Sequence, residues 1–178
     1  MRLLLPLVML LSGCATAPQT TWLDPAKVAV SRAVTTSPVW LRFEDGRSEP
    51  AVLHLPDAKV TGDARLIARL GDRLRQGLID KGYVLTPQGG TQLTVTLKRL
   101  ESRVDAGTFK HEARQLVVLE ALASRDGRTL TRTFTSRGQF EAPLGVDVGR
   151  LEAELNRVLE QSLGSLVNDP ELAAFFHP

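Results

Sequence analysis

The most constrained chemistry in this chain belongs to Cys14, its single cysteine, which closes the tetrapeptide Leu11-Ser12-Gly13-Cys14. Small Ser12 and Gly13 admit a peptidase, and a thiol can form a thioether to diacylglycerol, so the stretch looks like a bacterial lipobox. A solitary cysteine has no internal disulfide partner, and a free thiol is a liability in an oxidising compartment. The preceding residues fit. Met1-Arg2 gives a basic start, and Leu3 to Leu11 is nearly unbroken hydrocarbon. That run is about half of the roughly 20 residues a helix needs to cross a bilayer. Residues 1–13 therefore read as a signal peptide that is removed, not as an anchor helix. Cys14 would then start the mature chain carrying diacylglycerol and an N-acyl chain of the palmitate type, a stable attachment because several chains insert together. Ala15 follows where Asp would signal inner-membrane retention in Gram-negative lipoproteins. The expected address is the periplasmic face of the outer membrane, with outer-membrane lipid as the partner of the anchor.

Other reactive groups are sparse. A nucleophilic enzyme needs an activated Ser, Thr or Cys beside a base, and the histidines are His54, His111 and His177 only. None sits in a pattern that supplies a triad, and there is no Gly-x-Ser-x-Gly elbow or phosphate-cradling glycine loop. Glu152 with Glu154, or Glu141 with Asp147, could do acid/base work on glycans, but spacing alone does not set such pairs across a substrate. Metal-ligand spacing is absent, and no cofactor is expected beyond the lipid on Cys14. One exposed feature offers a binding role. Arg65, Arg69 and Arg73 recur every four residues and would line one helix face. Such a ridge suits lipid phosphates or an acidic partner, because guanidinium forks bind oxyanions well; the bland reading is a solvated face balanced by Asp72 and Asp80.

The elements that must position these groups follow from periodicity. Val39, Leu41 and Phe43 alternate with polar neighbours, predicting a strand, and Asp45-Gly46 predicts a hairpin into Ala51–Leu55. Residues 63–81 predict a helix, with Leu66, Ile67, Leu70, Leu74 and Leu78 on one face, a cap at Thr61 or Asp63 and a stop at Gly82. Strands are expected at Thr91–Leu97, continuing past a bulge near Arg99-Leu100, then at Phe109–Ala123 and Thr129–Phe140, the last two joined at Asp126-Gly127. Asp147 caps a second helix with a stripe from Val148 to Leu166, and a short helical turn over Glu171–Phe176 ends the chain. The expected fold is a single α+β domain, residues 39–178: an antiparallel sheet of about four to five strands with two amphipathic helices on one face. Residues 14–38, rich in Thr, Ser, Ala and Pro, read as a lipidated tether in which Trp22 and Val28-Ala29-Val30 can dock.

Composition narrows the partners. With Arg2 removed, the excess of basic over acidic side chains falls from two to one, too weak a field for nucleic acid, and no aromatic-basic interleaving appears.

The lipobox, Lys81-Gly82-Tyr83, Thr91-Gln-Leu-Thr-Val-Thr-Leu97 with Leu100 and Val104, Glu141-Ala-Pro143 and Asn168-Asp-Pro-Glu-Leu172 together resemble the YajG family of bacterial outer-membrane lipoproteins. The resemblance covers essentially the whole mature domain; Ala142 stands where family members carry Gly. It implies a cell-envelope lipoprotein with no catalytic residues to carry over and only Cys14 as a functional position. The expected function is a non-enzymatic, periplasm-facing accessory or scaffold with an unidentified envelope protein partner. The alternative is a lipid- or lipopolysaccharide-handling auxiliary lipoprotein of a transport system, which would need an apolar groove between helices and sheet.

Overall fold

The computed structural model describes residues 20–31, 38–107, 110–142 and 147–177. Cys14 with its lipobox, Phe109 and Pro143 lie outside them.

The chain forms a mixed α/β fold with eight strands in one curled sheet and three helices. The strands are β1 (Thr20–Thr21), β2 (Pro38–Asp45), β3 (Ala51–His54), β4 (Lys59–Gly62), β5 (Val84–Leu85), β6 (Thr91–Ala106), β7 (His111–Arg125) and β8 (Arg128–Ala142). The helices are α1 (Leu66–Lys81), α2 (Val148–Val167) and α3 (Pro170–Phe176). This corrects the expected four-to-five-stranded antiparallel sheet. β6, β7 and β8 form the expected antiparallel meander, but β2 and β3 both run parallel to β6, and β1 runs parallel to β4. The Asp45-Gly46 hairpin does not form. β2 and β3 instead pair with successive halves of β6, at Thr91–Leu97 and at Ser102–Arg103.

The bulge in β6 makes that division possible. Register shifts between Leu97 and Arg99. Up to Leu97 the odd residues face the helices; beyond it Leu100, Ser102 and Val104 do, and all six of Leu93, Val95, Leu97, Leu100, Ser102 and Val104 are buried. An inserted residue turns the strand and leaves two successive side chains on one face; here these are Lys98 and Arg99, both exposed. In β7, Val117 and Leu119 are fully buried toward the helices, while Leu116 and Val118 are half-buried on the opposite face. The type of turn read at Asp126-Gly127 holds, with φ of 49° and 75° at the two positions, as tight hairpins require.

The helices cover one face of the sheet. In α1 the stripe is Leu66, Leu70, Leu74 and Leu78, and the chain leaves through Gly82 in a left-handed conformation at φ 105°. In α2 it is Leu151, Leu155, Val158, Leu159, Ser162, Leu163 and Leu166, with Asp147 accepting from the Arg150 amide as the cap; Val148 stays exposed. The two helices approach closely at Gly77, where a Cβ would lie 3.2 Å from Val167 and 3.3 Å from Val28. Asp169 caps α3, which buries Phe176 edge-on against Tyr83 at a ring separation of 5.3 Å.

Candidate functional site

The arginine ridge is largely engaged by the chain's own N-terminal strap, residues 20–31. Arg69 donates from Nε to the Leu23 carbonyl at 3.0 Å, forms a double hydrogen bond with the Asp63 carboxylate and lies 3.8 Å over the Trp22 ring. Arg73 donates to Asp24 at 2.9 Å. Arg65 is exposed, and its backbone amide donates to Asp63. The strap continues with Leu23 and Val28 buried, the Ala26 amide donating to Glu160 and Ser31 donating to Asn168. Ser31 and Asn168 in turn accept from the buried Lys81 ammonium. The Arg69 guanidinium holds the Asp63 carboxyl well down, from 3.8 to about 2.

The carboxylates singled out as possible acid/base pairs have structural work. Glu152 accepts from the Thr21 hydroxyl and the Trp22 amide, Glu154 pairs with Arg157, Glu141 pairs with Lys110, and Asp147 caps α2. His111 opens β7, and the His177 carbonyl accepts from Arg125. Among the described residues no group of His, Cys, Asp and Glu is arranged to hold a metal ion, and no helix is long and apolar enough to cross a membrane.

The remaining histidine stands in a charged cavity. Between the β2 and β3 pairings, residues 98–101 of β6 have neither neighbour, and the loop after β2 folds across the gap, with the Gly46 amide donating to the Leu97 carbonyl at 3.0 Å. A cavity of about 200 Å³ results, lined by Arg47, Glu49, His54, Lys59, Lys98, Arg99, Glu101 and Arg103 among others. It opens on the sheet face turned away from α1 and α2, because His54 stands in register with exposed Arg103. Five cationic side chains line it against two carboxylates. Two of the cations have close partners: Arg47 with Asp45 at 2.9 Å, which holds that carboxyl below its ordinary value, and Lys59 with Glu49 at 3.1 Å. Glu101 faces three groups at once, Arg99 at 3.4 Å, Arg103 at 3.6 Å and His54 Nε2 at 3.8 Å. His54 is 6% exposed, and its Nε2 has no hydrogen-bond partner. A second cavity of about 410 Å³ shares Glu101 and Arg103 as a wall and extends over Arg114, Leu116, Arg137 and Gln139. The one sequence signal for this site is the phase slip at Arg99-Leu100. His54 and Glu101 are 47 positions apart, and spacing gave no reason to join them.

Residues 25–177 match the model of a protein family described as uncharacterized lipoprotein, Lipoprotein_16. The chain belongs to this family. No curated protein matches it. Among solved structures, the lipoprotein shares its fold with an uncharacterized protein at 15% identity, TM-score 0.54, covering 84% of this chain and 97% of the other. It also shares its fold with a Xanthomonas campestris protein of family DUF330 at 17% identity, TM-score 0.56, covering 88% and 97%. At these identities the likeness concerns fold alone. Within the lipoprotein, the strap lies inside or just ahead of the matched span, and the cavity lies wholly within it.

Proposed function

We propose that this lipoprotein is a non-enzymatic, YajG-type component of the cell envelope, anchored through lipidated Cys14 to the periplasmic face of the outer membrane and acting by holding a partner there. The observation that carries the reading is the strap. A chain that served only to tether would need no ordered contacts, yet residues 20–31 pair with β4 through β1, bury Leu23 and Val28, and bond to both long helices. Five residues separate Cys14 from Thr20, six steps that span at most about 22 Å when fully extended. An anchor at Cys14 would thus hold the folded body close to the bilayer. Glu141, Asp147, Glu152 and Glu154 are each taken up in structural contacts, which supports binding over catalysis.

The lipid-handling alternative loses its main support. The interior between helices and sheet is filled by Leu93, Val95, Leu97, Leu119, Leu151, Leu155 and Val158, each fully buried.

Fractionation of Cys14→Ser cells tests the address: the variant is expected in the soluble periplasmic fraction, still folded, with the wild type in outer-membrane fractions. Crosslinking of the lipidated wild type is expected to capture a reproducible envelope partner that the variant does not. A wild type that fractionates as soluble, or purified protein with a defined hydrolytic activity lost in His111→Ala or Glu141→Gln, overturns the proposal.

A further inference from the structure

We propose that the cavity over the β6 bulge is a binding site for a phosphate-bearing anion, with Glu101 as an internal placeholder that the anion displaces. The geometry of Glu101 carries the inference. One carboxylate stands between Arg99, Arg103 and His54 at 3.4, 3.6 and 3.8 Å. Charge-assisted N–H···O bonds close at about 2.7–2.9 Å, so all three contacts are long and none of the three groups is fully served. The arginines are cheap to redirect, with side chains 60% and 54% exposed, whereas the Glu101 side chain is only 18% exposed.

His54 supplies the second half of the exchange. Its Nε2 is buried and unpartnered, and a buried polar atom left without a hydrogen bond is costly. An oxyanion entering over Arg99 and Arg103, with Lys59 and Lys98 at the rim, would take over both guanidinium forks. The released Glu101 carboxylate would then close on His54 Nε2 and satisfy it. One fork suits a carboxylate or a phosphate alike, but two forks converging on one anion call for more than two acceptor oxygens, which phosphate supplies. The cavity's size suits a phosphate with a small alcohol attached, and the adjoining basin past Arg103, with Arg114 and Arg137, leaves room for a longer headgroup. The bulge that puts Lys98 and Arg99 on one face is what assembles the cluster.

The test uses the complete chain carrying Cys14→Ser, so that its own lipid does not drive binding. Inorganic phosphate and glycerol 3-phosphate are titrated while the imidazole signals of His54 and the amides of residues 98–103 are followed by NMR. Vesicles of phosphatidylglycerol are compared with vesicles of phosphatidylcholine by co-sedimentation. Saturable shifts at His54 and residues 98–103 are expected, with Arg99→Gln/Arg103→Gln weakening binding by at least about tenfold. Glu101→Gln is expected to tighten it, since the competing charge is gone. Binding of the soluble phosphates alone assigns the site to a free phosphate ester; added retention on phosphatidylglycerol vesicles, lost in the double variant, assigns it to a lipid headgroup. The proposal is overturned if neither probe binds, if the double variant binds as well as the parent, or if Glu101→Gln weakens binding with its circular dichroism and melting unchanged.

Discussion

The clasp between Asp63 and Arg69 ties the turn before α1 to the helix beside the strap, and its strength can be worked from the structure. The Asp63 carboxyl is held at about 2 against an ordinary 3.8 by the Arg69 guanidinium. A difference of that size corresponds to a ceiling of about 2.4 kcal/mol of folding stability. The two side chains keep 19% and 15% of their surface, so they stand at the rim rather than in the interior. Screening at such a place reduces the net value to about 1 kcal/mol. The sign follows from the direction of the shift. A carboxyl whose folded value is lowered contributes fully above its unfolded value, so the clasp is complete above about pH 5, fades between pH 4 and 2, and is gone below about 2. The assay is a double-mutant cycle of Asp63→Asn and Arg69→Gln, read by urea unfolding at pH 7 and pH 2.5. A coupling of about 1 kcal/mol is expected at pH 7 and less than half of it at pH 2.5. A coupling near zero at pH 7, or one of equal size at both pH values, refutes the reasoning.

Two further changes probe the body of the fold. Leu155→Ala empties a fully buried position where α2 meets the sheet and should lower stability by about 3 kcal/mol, whereas Val148→Ala, at a position 38% exposed, should cost under about 0.5 kcal/mol; urea midpoints distinguish them. Deletion of Lys98 removes the bulge and forces a choice between facing Leu93–Leu97 or Leu100–Val104 toward the helices, because a one-residue slip turns every later side chain over. Loss of cooperative thermal unfolding is expected, and a variant that melts like the wild type would show that the bulge does not set the register.

Elements built from their own neighbours were legible. α1 and α2 announce themselves through leucines at three- and four-residue spacing, Asp147 and Gly82 mark their ends, and Asp126-Gly127 joins two long alternating strands. Even the bulge left a trace as a break in alternation. Four features were hidden. β1 and β4 are two and four residues long, too short for a periodic signal; β1, within the strap, pairs with β4, which pairs in turn with β3. β2 and β3 read as a hairpin because a tight-turn dipeptide lies between them, yet each runs parallel to β6. A parallel partner is chosen by burial and by the path of the intervening chain, neither of which appears in local spacing.

The arginine ridge illustrates the same limit at a single site. Its helical spacing is correct, but Leu23 and Asp24 of the strap and Asp63 of the turn before α1 engage Arg69 and Arg73. The sequence alone determined that the chain carries a single thiol, Cys14, that two helices and a long meander exist, and which faces they bury, because these depend on covalent type and nearest-neighbour periodicity. Only the tertiary structure decided the eight-stranded mixed sheet, the docked strap and the meeting of His54, Glu101, Arg99 and Arg103. Each of those depends on contacts between residues far apart in the chain, where register and burial, rather than propensity, set the outcome.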